Sequence, residues 1–318
     1  MPGGALHRPL SRYPRQRRGV APITSSMTSR AASLPPCAPR ALAVAALAIA
    51  DKRTLGRWAL TGAAGITLAV ILLPLFFVTW LAFFLQPIPS FPPQGYSLKW
   101  FFTIADNPKF VDGFVLSLQV AVAAMIVGLA LGVPAALCLA RYRFWSREPI
   151  GNLLLLPLVV PGIVLGTSLY VFHVEVTILT ELPILGSIPA LVAGHILLVI
   201  PWSVRLVSAS LAGFDRSIEE AAQNLGATPM TTFFRITLPT IRPGIVAAAL
   251  FGFVVSFGNL EMSMFLVGAG RTTLPITILQ YLEWRIDPTI AAVSVLQIAL
   301  IGAAMMITDR FVKLSRVV

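Results

Sequence analysis

Six long apolar stretches dominate the chain, at residues 59–85, 112–140, 151–173, 188–207, 243–267 and 289–309. Each approaches or exceeds the roughly 20 residues that carry a helix across about 30 Å of hydrocarbon. In lipid such a run becomes a helix, which satisfies its own backbone N–H and C=O groups. The pattern predicts an all-α integral membrane protein with six transmembrane helices. Pro157 and Pro161 interrupt the third stretch, which suits a helix whose freed carbonyls are met by neighbours within a bundle. Residues 41–50 are apolar but too short to span.

Between the fourth and fifth stretches lies a polar island at 217–244, SIEEAAQNLGATPMTTFFRITLPTIRPG. Its local grammar predicts two short helices with a sharp corner. Ser217 and Glu220 have the spacing of a capping box, and Glu219 and Glu220 favour the positive end of the first helix. Gly226 can stop that helix in a left-handed turn. Thr228-Pro229 restarts a helix as N-cap and first position, and Leu238-Pro239 is expected to end it. Ala221 and Ala222 keep one face small, so a partner can approach closely.

Composition agrees with the membrane reading. The chain is 57% hydrophobic and 12% charged, with mean hydropathy +0.83. The net charge of +11 would suit a nucleic-acid partner, but the bases sit in the tail and inter-span loops with no aromatic-interleaved basic face. With the N-terminus inside, inner segments hold 20 of the 24 lysines and arginines. The four outer ones are Lys99, Lys109, Arg271 and Arg285. This asymmetry predicts both termini in the cytoplasm, and the 217–244 island with them. Residues 1–57 are expected to form a disordered basic cytoplasmic tail, and 58–318 a transmembrane domain with a cytoplasmic loop at 208–242. The acid-free, Arg- and Ser-rich start is either an organellar transit peptide or a bacterial tail extended beyond a true start at Met27, and the bacterial tail is favoured. The outer segments 86–111, 174–187 and 268–288 offer polar and aromatic surface to a soluble partner. Their aromatics equally suit interfacial anchoring.

The motif inventory is mostly negative. No Gly-Lys dipeptide occurs, hence no phosphate-cradling G-x-x-x-x-G-K-[ST]. G-x-S-x-G, H-E-x-x-H and clustered Cys/His are absent too, so no catalytic, cofactor or metal site is expected. Cys37 and Cys138 make no disulfide framework. His195, alone in the fourth stretch, reads as a packed, hydrogen-bonded residue. Gly128-x-x-x-Gly132 and Gly162-x-x-x-Gly166 are close-packing signatures. Glu261, in the run Phe257-Gly258-Asn259-Leu260-Glu261, is the acid that matters. Within hydrocarbon it must face a cavity or partner, which makes Ser256, Asn259 and Glu261 candidate walls of a translocation path. The alternative is that the span ends early and leaves Glu261 at the outer interface.

Glu220-Ala221-Ala222, three residues, Gly226, nine residues, then Ile236-x-Leu238-Pro239 resembles the EAA loop of permease subunits in binding-protein-dependent ABC importers. Leu158-x-x-Pro161-Gly162 and Leu274-Pro275 resemble further landmarks, and the similarity runs from about 60 to 312. The resemblance implies the type I ABC-importer permease fold in a bacterial inner membrane. Glu219, Glu220, Ala221, Ala222, Gly226, Ala227, Ile236, Leu238 and Pro239 become the coupling loop that docks on a cytoplasmic ATPase. It also implies partners: two ATPase copies that carry the ATP and magnesium, usually a second and different permease, and a periplasmic binding protein. The run from Ser256 to Leu282 is similar to the spermidine/putrescine branch. Those permeases usually carry an acidic pair where Gly258-Asn259 stands here. Polyamine is the expected solute, with 2-aminoethylphosphonate, thiamine or ferric iron as alternatives. An ion-coupled transporter would show paired broken helices and repeated intramembrane charges, and a structural subunit would leave the loop pattern unexplained.

Overall fold

A computed structural model of the chain describes residues 38–311. The chain divides into two units, Met1–Val70 and Ile71–Val318. The described part of the first is helical throughout and belongs to α1 (Ala38–Leu81), which continues to the start of the second. The expected disordered tail is therefore helical backbone from Ala38 onward. Its residues 1–37, including Met27 and Cys37, lie outside the described residues. Residues 41–50, too short alone, are the first turns of a 44-residue helix.

Within Ile71–Val318, every named element among the described residues is helical, and the one β contact is an isolated bridge between Phe84 and Tyr96. After α1 the chain doubles back through that bridge into α2 (Lys99–Asp106). The buried Gln86 side chain closes the link, donating to Ser90 O at 3.0 Å and accepting from Gln94 N at 3.1 Å. Asn107 caps α3 (Pro108–Arg141) by accepting from Lys109 N. At 34 residues, α3 is about 51 Å long, well beyond the hydrocarbon thickness of about 30 Å. It therefore delivers Arg141 outside the apolar layer.

The third stretch differs from expectation. Residues 147–158 form α4 (Arg147–Leu155) and a 3₁₀ turn, and the span proper is α5 (Gly162–Thr180). Proline is the cause. Pro161 lacks an N–H and stands at ψ 136°, outside helical space, so the helix restarts at Gly162. Glu175, assigned to an outer loop, belongs to α5, which ends on Glu181 at φ 57°.

α6 (Ile188–Ala212), α3 and the fifth span pack into the centre of the bundle. Glycine makes this possible. A Cβ on Gly128 would lie 2.6 Å from Val199 Cγ1, and one on Gly132 2.5 Å from Ser203 Cβ. The first Gly-x-x-x-Gly pair is thus an internal α3–α6 contact. In the second pair, Gly162 lies under Glu261 and Gly166 against Phe265 and the Met262 backbone. Buried clusters fill the bundle in layers, with Phe110, Phe253 and Phe257 in one, Leu191, Leu198 and Met262 in the next, and Val207 and Ile241 in a third.

The polar island folds as α7 (Ser217–Asn224) and α8 (Pro229–Thr232). A π-helical turn at Phe233–Thr237 leads directly into α9 (Leu238–Phe257). The fifth span therefore begins earlier and ends earlier than 243–267. Beyond it lie the short α10 (Ser263–Leu266), α11 (Leu274–Trp284) laid against the start of α3, and the last span, α12 (Thr289–Phe311). Six helices are long and apolar enough to cross a membrane.

Candidate coupling site

The loop is built from its corner outward. Ser217 is not the N-cap of α7. Arg216 occupies that position without a side-chain cap, and the Asp215 carboxylate accepts from Ser217 N at 2.9 Å. That bond holds the Asp215 pKa below the usual carboxylate value. An acid two residues before Ser217 thus takes the N–H bond at the helix start, and Glu220 is exposed.

The end of α7 matches expectation. Gly226 stands at φ 90°. Its N–H donates to Gln223 O, and Ala227 N–H donates to Ala222 O. These two bonds are a Schellman motif, which satisfies the helix's last carbonyls and turns the chain away. Thr228 then caps α8, accepting from Thr231 N at 3.2 Å, with Pro229 first in the helix. Leu238-Pro239 does not end a helix. Leu238 N–H reaches back five residues to Phe233 O, and this wider turn carries the chain past Pro239, whose missing N–H would break an ordinary ladder. Ile236 is half-buried on the turn, and Pro239 is exposed.

Glu219 anchors α7 to the bundle. The Arg141 guanidinium forms an ion pair with Glu219 and donates to Thr237 Oγ1 at 3.0 Å. The Thr237 hydroxyl in turn donates to Glu219. Arg216 donates to the Ala140 carbonyl at the end of α3. Three segments distant in sequence, the end of α3, the start of α7 and the π turn, are thus tied at one point. Sequence reasoning missed Arg141, Arg216 and Thr237. Arg141 closes a 34-residue helix, and its reach beyond the apolar layer was the available signal.

Other side chains of the loop are bare. Leu225 is 90% exposed, and Ile218 and Met230 are more than half exposed. Apolar side chains grouped on a polar loop mark a surface for another protein.

The second group of predicted residues is only partly brought together. Ser256 is buried and bonded to His195, with Oγ and Nδ1 2.7 Å apart; Nε2 of the same ring lies 3.1 Å from Ser263 Oγ. Asn259 caps the following turn, accepting from Met262 N at 3.0 Å. Glu261 lies beyond the end of α9, exposed on that turn and over Gly162 at the start of α5. The fifth span ends before it, at Phe257. Ser256 serves packing between α6 and α9, and His195 is the hydrogen-bonded core residue expected of it.

The chain is similar to several known proteins. The chain is 32% identical over 209 residues to the putrescine transport system permease protein PotI of Escherichia coli strain K12, covering 65% of this chain and 74% of that one. It is 28% identical over 221 residues to the spermidine/putrescine transport system permease protein PotC of Haemophilus influenzae, covering 68% and 84%. In fold it is similar to a subunit in a crystal structure of the bacterial alginate ABC transporter in complex with alginate pentasaccharide-bound periplasmic protein. There the TM-score is 0.63 at 15% identity, over 81% of this chain and 94% of that one. Residues 128–315, from the α3–α6 contact through the anchored loop to the last span, match the family described as binding-protein-dependent transport system inner membrane component. With that match and that loop at its centre, the chain belongs to this family of multi-pass membrane permeases.

Proposed function

We propose that this chain is one half of the membrane path of an ATP-driven importer, and that α7 receives the stroke of a cytoplasmic ATPase. The carrying observation is the way α7 is mounted, tied through Glu219 to Arg141 and Thr237, while Ile218 on it, Leu225 at its end and Met230 on α8 stand exposed. A helix mounted so transmits force instead of absorbing it. When an ATPase groove moves α7, the Arg141 tie carries the displacement into α3 and the π turn carries it into α9. These helices also pack against α6, so the motion reaches the centre of the bundle as a rigid-body shift. ATP and magnesium belong to the ATPase subunits in this reading, and the free energy is theirs.

The charge asymmetry of the loops supports cytoplasmic termini and a cytoplasmic α7. A second permease would complete the path, and a periplasmic binding protein would deliver solute to the opposite face. The polyamine names of the PotI and PotC relatives support a polyamine as that solute. Glu261, exposed on the turn after α9, is the acid proposed to meet such a cation. Gly258-Asn259, standing where the branch usually has two acids, favours a different small solute as the second reading.

Calorimetric titration of the cognate binding protein with putrescine, spermidine, 2-aminoethylphosphonate, thiamine and ferric ion decides between them. Tight polyamine binding is expected. Silence toward polyamines with tight binding of another solute discards the substrate and keeps the importer.

A further inference from the structure

Beside α7, the ends of α3 and α6, together with α4 and the start of α7, line an open cavity of about 800 Å³. Its wall has two unlike parts. Leu139, Leu155, Val204, Leu211 and Phe214 give apolar surface, and Arg141, Arg147, Arg205 and Arg216 give four guanidinium groups. The acids on the same wall are Glu148 and Glu219, so four positive charges face two negative ones. Arg141 is committed to Glu219 and Arg216 to a carbonyl. Among the described residues no ion pair or hydrogen bond engages the side chain of Arg147 or of Arg205.

Two free guanidiniums against an apolar wall suit an amphiphile with an anionic head. The planar fork of arginine matches phosphate oxygens, and basic pockets between membrane helices hold anionic headgroups. The depth is right for a lipid. Trp145, fully exposed, and Tyr142 lie in the link between α3 and α4, where aromatic side chains mark the headgroup level. Beyond them α4 and the 3₁₀ turn after it leave Leu153 and Leu156 exposed as apolar surface.

We propose that this cavity binds the phosphate headgroup of an anionic phospholipid through Arg147 and Arg205, with the acyl chains lying along α4. The bound head would stand on the same wall as the Arg141–Glu219 pair, so membrane composition would bear on how firmly α7 is held. The site is independent of which solute the chain carries.

The test is native mass spectrometry of the full-length protein with phosphatidylglycerol, phosphatidylcholine or inorganic phosphate as probe. The protein is compared with an R147Q/R205Q variant and with an R143Q/R310Q variant of equal charge change outside the cavity. Preferential retention of phosphatidylglycerol is expected, reduced about tenfold or more in R147Q/R205Q and unchanged in R143Q/R310Q. Equal retention of the two lipids overturns the proposal, as does equal loss in both variants. Inorganic phosphate binding that depends on Arg147 and Arg205, without discrimination between the lipids, overturns the lipid assignment and leaves a free-phosphate site. Thermal unfolding of R147Q/R205Q near that of the parent is expected. Should that variant not fold, R147K/R205K replaces it, and full retention there of the phosphatidylglycerol preference at weakened affinity is the supporting result; preference lost in the lysine pair overturns the proposal.

Discussion

Arg141 and Glu219 set the behaviour of the loop at the scale of single residues. Their side chains are 29% and 13% exposed, so the pair is only partly shielded and a third partner, Thr237, shares the carboxylate. A double-mutant cycle with R141M and E219Q, read by denaturant unfolding in detergent, should give a coupling energy of about 1–2 kcal/mol. A value near zero would mean that the pair is incidental and that α7 is held by something else. Gly226 makes a sharper case. Nothing lies within 4 Å of where its Cβ would be, so only its φ of 90° resists substitution. Gly226→Asn, whose side chain tolerates left-handed backbone, should keep most transport. Gly226→Val should lose nearly all of it, with about 1–3 kcal/mol of local strain but normal membrane insertion. Equal activity in the two variants, measured as solute uptake, would refute a conformational role for this position. The glycine was legible because its requirement is local. The Arg141 tie was not, because it joins residues 78 and 96 positions apart and no short-range pattern encodes such a distance.

At the scale of elements, the membrane period was readable and the helix ends were not. Six apolar runs gave six spans because lipid leaves the backbone no alternative to a helix. Their bounds moved wherever proline acted. Pro161 split the third run, since nothing rescues the helix on its N-terminal side. Pro239 did not end the loop helix begun at Thr228-Pro229, because the π turn before it absorbs the missing donor and leads into the fifth span. Tertiary packing decides between those outcomes, and one proline looks much like another in sequence. The Gly-x-x-x-Gly pairs announced close approach but not the partner helix. Since Gly132 would place a Cβ 2.5 Å from Ser203 Cβ, Gly132→Val should destabilise the α3–α6 contact by about 1–3 kcal/mol. Gly302→Ala in α12, where no atom lies within 4 Å, should be neutral or slightly stabilising. Thermal melting of the two purified variants checks this, and equal melting points would contradict the packing account.

At the scale of the whole molecule, α3, α6 and α9 form one packed body, and α7 is tied directly to α3 and to the turn that opens α9. A displacement of α7 therefore has no soft joint in which to dissipate before reaching the bundle centre. His195, Ser256 and Ser263 continue the same logic toward the other end, where they fix the turn that carries Glu261. In the proposed function this mounting converts ATPase motion into solute passage. Its most direct measurement is uptake of labelled putrescine into proteoliposomes that contain this chain with its ATPase and permease partners, with loaded binding protein outside. Uptake that requires ATP and the ATPase, and that disappears in Gly226→Val while the complex stays assembled, is expected. Uptake driven by an ion gradient in the absence of the ATPase, or unchanged in Gly226→Val, would contradict that function.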